Sequence, residues 1–442
     1  MRFYLLAAAL LAASMSCCAR ATEATSVFVP QLLGAQYTFI DQHQDTLRSP
    51  YSGPLSLKAG GDAEQSHTFG AYFGVQLSAH FQFYFDVEMF KGEGVSGATG
   101  VGAIVNGDVV HSGNAGLGKR AYVARRYLRW ALPLGGKTHS VERGQDQLPG
   151  VEADRYIEVK LGRTTPADDF DKNRYANSAR TQFMDGAFFN TLAWDYAADT
   201  RGYTNGLMAA WVNPHWTLRY GVYQMPTHAN GQTLEAPLKR ARGEQAQLTL
   251  RGAPNGWALR LLVYRNTARM GAYRDALAIA EAMGTPPDIR VDDRDGRHKY
   301  GYAINAELPL ADGGDTGLFA RYGWNDGHTE SFAFTEVDRG ASLGVQVSGA
   351  RWHRTQDRLG IAIAMNALSR GHHDYLAAGG CGFLLCDSRL AYGHEEIAEI
   401  YYAIQLLPHV TLSPDFQFIR NPGYNRDRGP ARFIGIRAHL EY

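Results

Sequence analysis

Along most of the chain, apolar side chains alternate with polar or small ones. At the C-terminus Ile434, Ile436, Ala438, Leu440 and Tyr442 share one face of an extended strand; Gly435, Arg437, His439 and Glu441 share the other. Phe81, Phe83, Phe85, Val87 and Met89 alternate in the same way with Gln82, Tyr84, Asp86 and Glu88. A period of two marks a β-strand whose two faces meet different surroundings. The face with Asp86 and Glu88 must be wet, because unpaired buried carboxylates are too costly. The opposite face is apolar and aromatic, as for a strand with lipid outside and water inside.

Counting such runs predicts sixteen strands, near 34–41, 67–78, 81–90, 121–132, 154–163, 203–212, 216–224, 245–252, 257–266, 299–308, 316–325, 340–348, 356–369, 394–407, 409–420 and 431–442. The links between them alternate in length. Short ones lie at 79–80, 213–215, 253–256 and 408; long ones at 42–66, 91–120, 164–202, 225–244, 267–298, 370–393 and 421–430. The run 133–153, with Pro133, Gly135, Gly136, Gly144 and Gly150, is long where a short link is expected, and reads as an extended turn. Short turns at one end and long loops at the other describe an outer-membrane barrel, and an even strand count allows closure without free edges. Ala276 to Met283 reads as two helical turns inside a long loop, but the repeated helices of an α/β enzyme are missing. The prediction is all-β: a transmembrane antiparallel β-barrel of sixteen strands with short periplasmic turns, long extracellular loops and one loop folded inward.

Composition agrees. Lys and Arg number 44 against 44 Asp and Glu, which excludes a strongly basic nucleic-acid binder. Aromatics at 12% argue against disorder. No later stretch reaches the ~18 apolar residues of a spanning helix. Met1-Arg2, the apolar run Phe3 to Ala13 and Ala19-Arg20-Ala21 make a secretory signal peptide of residues 1–21. Cys17 and Cys18 raise a lipoprotein signal, but Ser14-Met15-Ser16 lacks the Leu that such a signal carries. A periplasmic segment 22–33 and the barrel 34–442 would follow. Cys381 and Cys386 are then the remaining cysteines, and in an exported protein a disulfide is expected between them.

The segment from Gly162 to Gly206 is more specific. Phe170-Asp171 with Asn173, then Tyr175-Ala176-Asn177, Arg180-Thr181-Gln182-Phe183 and the run Ala193 to Thr204 resemble the carbohydrate-selective porin (OprB) family of Gram-negative outer membranes. Gly382-Phe383-Leu384-Leu385, Tyr392-Gly393, Ile400-Tyr401-Tyr402, Asp415-Phe416-Gln417 and Asn421-Pro422-Gly423-Tyr424-Asn425 extend the resemblance over most of the chain. Where the family more often has Gly, this sequence has Cys381 and Cys386. The resemblance implies a sixteen-stranded barrel, long loops folded into an eyelet, and passive uptake of small sugars, glucose-type monosaccharides foremost.

The loop 164–202 is aromatic enough to be ordered and long enough to be functional. Arg163, Asp171, Arg174, Arg180, Trp194, Asp195, Asp199 and Arg201 are the candidates for constriction and solute contact. Arginine forks pair with hydroxyls or with carboxylates, and aromatic rings stack on a pyranose. The duller reading is that the Arg and Asp residues pair with one another and that Trp194 anchors the loop. Asp86, Glu88, Arg129, Arg219, Arg321 and Arg437 are candidates for the lumen wall. Arg180 and Arg201 are expected to matter more to conductance than Arg437.

Other chemistries fit poorly. Asp169, Asp171 and Asn173 resemble the start of an EF-hand, but Arg174 stands where Gly is needed. His372-His373-Asp374 reads as a polar loop before a metal site. No cofactor, metal or catalytic nucleophile is expected. The alternative function is a general channel, or one preferring anions or organic acids, favoured if lumen Arg outnumbers unpaired carboxylates. Expected partners are small sugars, outer-membrane lipid and the barrel-assembly machinery. Family porins are often trimers, and a subunit contact looks much like a lipid contact, so both homotrimer and monomer fit the pattern.

Overall fold

Every second side chain along the strands points away from the barrel, and most of those side chains are apolar. On one strand Ile361, Ile363 and Met365 face outward while Gly360, Ala362 and Ala364 face inward. The computed structural model describes residues 32–442 except 110–116, 118–119, 253–255 and 335. The expected signal peptide lies outside the described residues.

The strands in chain order are β1 (Leu32–Gln44), β2 (Asp62–Gln76), β3 (Phe81–Gly92), β4 (Tyr122–Pro133), β5 (Thr138–Val141), β6 (Gly150–Ala153), β7 (Tyr156–Thr164), β8 (Thr204–Val212) and β9 (Trp216–Gln224). They continue with β10 (Arg242–Arg251), β11 (Ala258–Met270), β12 (Arg294–Ala311), β13 (Thr316–Asn325), β14 (Arg339–Ser348), β15 (Arg358–Ala367), β16 (Glu395–Leu407), β17 (Val410–Arg420) and β18 (Ala431–Glu441). All but β5 and β6 join one closed antiparallel barrel of sixteen strands, sealed by β1 against β18 with Gln36 opposite Glu441. Each of the sixteen predicted strands is present, and the first begins at Leu32.

The long connections all leave from one end and the short ones from the other, which is the periplasmic end by the usual asymmetry. The connection 134–155 is the exception. In place of an extended turn it forms the separate hairpin β5–β6. Two further corrections concern helices. The predicted helical turns grow into α2 (Tyr273–Met283), ended by Gly284 in the left-handed region, and a short α1 (Gly186–Phe189) and α3 (Arg370–Ala377) sit in other loops. None of the described helices is long and apolar enough to cross a membrane; the strands do the crossing.

Outside, aromatic side chains gather near both ends of the barrel, as they do at membrane interfaces. Trp211 and Trp216 pair near the periplasmic turn, and Tyr300, Tyr302 and Trp324 cluster toward the loops. Ile363, 58% exposed at the centre of β15, marks the belt between. Placing Arg there should cost roughly 2–4 kcal/mol of folding free energy, whereas Leu406→Arg, near the interface, should cost about 0–1 kcal/mol. Denaturant titration of protein refolded into liposomes measures both; equal costs would contradict the placement of the belt.

Candidate functional site

The long loop 165–203 turns into the barrel and packs on one side of its inner wall. Phe170, Tyr175, Phe183, Phe188 and Trp194 are buried there against Tyr223, Tyr264, Phe319 and Tyr401 from the strands. The wall makes room with glycine: a Cβ at Gly317 would collide with the Tyr175 hydroxyl, and one at Gly323 with Thr191.

Backbone groups taken out of water need partners, and buried charges supply them. Arg321 on β13 is the centre. Its guanidinium donates to the carbonyls of Asp171 (3.1 Å), Ala176 (2.8 Å), Phe189 (3.4 Å) and Phe188, and lies 3.3 Å from the Asp171 carboxylate. Asp171 in turn accepts from the Thr191 N–H (2.7 Å) and from Asn305 (2.6 Å). Asp195 accepts from three consecutive N–H groups, of Phe332, Ala333 and Phe334, at 2.7–3.1 Å. Arg437 donates to the Ala179 and Gln182 carbonyls, each at 2.7 Å. Glu399 on β16 accepts from the Met184 and Asp185 N–H groups, and Asp185 caps α1.

The other side of the loop faces open space. A cavity of about 430 Å³ runs between the loop and the wall made by β1–β4 and β18. Arg180 spans it, bonded to Glu88 (2.9 Å) and Asp108 (2.7 Å). Glu88 also accepts from the hydroxyls of Tyr122 (3.0 Å) and Tyr203 (2.7 Å). Arg201 lies over the Tyr122 ring at 4.0 Å. Arg125 holds Asp168 in a two-pronged pair (2.7 and 2.8 Å), with Asp86 and Asp146 each at 3.2 Å. Lys172 is exposed to the same space.

The structure therefore divides the predicted residues. Arg180 and Arg201 line the cavity, as does the wall residue Glu88, while Asp86 reaches it through Arg125. Trp194 is fully buried and cannot stack on a solute; Asp171 and Asp195 are loop anchors. Arg163 pairs with Asp199 at 2.6 Å, and Asp199 also caps the Arg201 and Tyr203 N–H groups. Arg174 sits at the foot of the loop, its N–H donating to Glu307. On the wall, Arg129 pairs with Glu158 and Glu152, and Arg219 adds positive charge beside Glu158 and Asp169. Arg321 and Arg437 lie under the loop instead of facing water, and Arg437 touches the loop directly through two carbonyls. Arg125, Tyr122, Asp108 and Lys172 were not among the predicted residues. A β-bulge opposite Asp86 and Val87 breaks the alternation just before Arg125, and it put Tyr122 out of step with the inward series Arg125, Tyr127 and Arg129.

Above the barrel, three loops are locked together. His372 of α3 is buried, stacked on Tyr273 at 4.4 Å and bonded to Asp338 at 2.9 Å. Glu336 accepts from the Leu384 and Leu385 N–H groups, inside the turn closed by the Cys381–Cys386 disulfide.

The profile of the carbohydrate-selective porin, OprB family, matches residues 60–442. Pseudomonas putida OprB, in its high-pH structure, superposes with a TM-score of 0.64 at 17% identity, covering 93% of this chain and 94% of that one. The outer membrane channel DcaP of Acinetobacter baumannii gives a TM-score of 0.53 at 10% identity, over 93% and 96%. A putative porin of Acinetobacter baylyi, QuiX, is 21% identical over 319 residues, 65% of this chain and 66% of that protein's length.

Two predictions follow from the anchors. Arg321→Ala strands the buried Asp171 carboxylate and should cost about 3–5 kcal/mol. The loop should leave the wall and single-channel conductance should rise, with the barrel still heat-resistant on gels. The second concerns pH. Burial disfavours charge on His372, but Asp338 and then Glu336 outweigh it and raise its pKa to about 9. That pair stabilises the loops fully below the ordinary histidine pKa, and its contribution is lost as pH rises through about 9. Protection against hydrogen exchange across 368–394, taken relative to the intrinsic base-catalysed rate, should fall between pH 7 and 10, and His372→Gln should remove that pH dependence.

Proposed function

The chain belongs to the carbohydrate-selective porin (OprB) family, and from that premise we propose that it passes small sugars passively across the Gram-negative outer membrane through the cavity between the inner loop and the β1–β4 wall. Fold and family are those of a channel, not of an enzyme. The observation that carries the reading is the balance of the cavity's lining. Arg125, Lys172, Arg180 and Arg201 face Glu88, Asp108, Asp168 and Glu441, four cations against four anions. Most of these charges are already paired, so a passing solute meets a dense array of donors and acceptors with little net field. That suits neutral, hydroxyl-rich molecules better than organic anions. Tyr122, Tyr196, Tyr203 and Phe189 add ring faces and edges. The volume falls within the ~300–1,000 Å³ typical of small-molecule sites. Contacts spread over many partial partners are weak singly, which a channel needs in order to release its solute.

Membrane insertion by the barrel-assembly machinery belongs to the same reading. The outer face is apolar on most strands and suits lipid or a second subunit alike, so homotrimer and monomer both fit it.

In a planar bilayer, millimolar glucose should reduce the ion current. Liposomes should take up labelled glucose faster than labelled gluconate; the reverse order would favour the anion channel. Arg180→Ala leaves Glu88 and Asp108 without their shared cation, so sugar block should weaken and the reversal potential should shift toward cation selectivity.

A further inference from the structure

The connection 134–155 is the long link at the end where links are short, and its tip does not hang free. Hairpin strands β5 and β6 are exposed, but the turn between them reaches up into the lumen. Leu148 is buried among Leu32, Tyr72, Tyr84 and Tyr127, and its N–H donates to the Tyr84 hydroxyl at 3.2 Å. Gln145 donates to Asp86 at 2.9 Å and accepts from Gln36 at 3.2 Å. Asp146 lies 3.2 Å from Arg125, the same arginine that grips Asp168 of the inner loop. Nearer the base of the hairpin, Glu152 pairs with Arg129 of the wall at 2.7 Å, and Arg143 donates to the Leu33 carbonyl and covers the Tyr442 ring.

We propose that this hairpin tip is a second constriction at the periplasmic exit, and that Gln145 is a solute-contacting residue of the channel. The proposal rests on the channel reading above and adds to it the route by which solute leaves. A turn that only tidied a long link would rest on the rim. This one places Gln145 on the same cavity as Arg180. An amide presents a donor and an acceptor without charge, the complement of a sugar hydroxyl. Arg125 then joins the two obstacles: Asp168 comes from the extracellular loop, Asp146 from the periplasmic hairpin, and one guanidinium binds both.

The test uses the full-length channel in a planar bilayer. Gln145→Cys is treated with an anionic methanethiosulfonate, and His139→Cys, on the exposed hairpin strand, serves as the control. Single-channel conductance of Q145C should fall by about half or more, while H139C should be unchanged. Full modification of Q145C, verified by mass, with unaltered conductance would overturn the proposal, and so would failure of the reagent to reach it. If Q145C does not fold, replacing 137–153 by a short turn provides the second measurement. Conductance and disaccharide permeation should both rise, and unchanged values would count against the constriction. Ion current needs no sugar. A wild-type channel insensitive to glucose would therefore sink the sugar reading while leaving this proposal to stand or fall on Q145C.

Discussion

Arg321 and Asp171 form the ion pair on which the interior depends. Both are nearly inaccessible to water, and the guanidinium also holds four carbonyls of the inward loop. A loop carried into the lumen loses solvent for its backbone, and β-strand pairing cannot replace it, because the wall's hydrogen bonds are already used. Side chains from the wall have to reach in. Arg321, Arg437, Glu399 and Asn305 do so from β13, β18, β16 and β12. Docking the loop on that side leaves the passage along β1–β4.

The charged groups thus serve two purposes that residue type does not distinguish. Asp171, Asp195 and Arg321 are structural because they are dry. Arg180 and Arg201 border the cavity, whereas Glu88, as buried as the anchors, meets it through Arg180 and two tyrosine hydroxyls. Position relative to the loop, more than charge, separates the anchors from the lining.

The barrel was legible because lipid outside and water inside write their difference into every second residue. β9 and β13 match their predicted limits, Trp216–Gln224 and Thr316–Asn325. The site was less legible. Alternation tells which face a side chain takes, not what later covers that face. Arg437 and Arg321 read as water-facing wall residues, and only the loop's return path shows otherwise. Tyr122 escaped because a bulge breaks the period, and the β5–β6 hairpin because four-residue strands such as Thr138–Val141 are too short to display one. The inward course of 165–203 was legible in length and aromatic content; its anchoring points were not.

The closing seam between β1 and β18 has a kinetic meaning. Gln36 must find Glu441 across almost the whole chain, a meeting whose entropic cost grows with the intervening length. The inner loop comes from the middle of the sequence, yet it holds Arg437 on the last strand, Glu399 on β16 and Arg321 on β13. In the finished barrel it therefore ties three late strands to the middle of the chain, so the free chain separating the two seam strands is shorter than the sequence alone suggests.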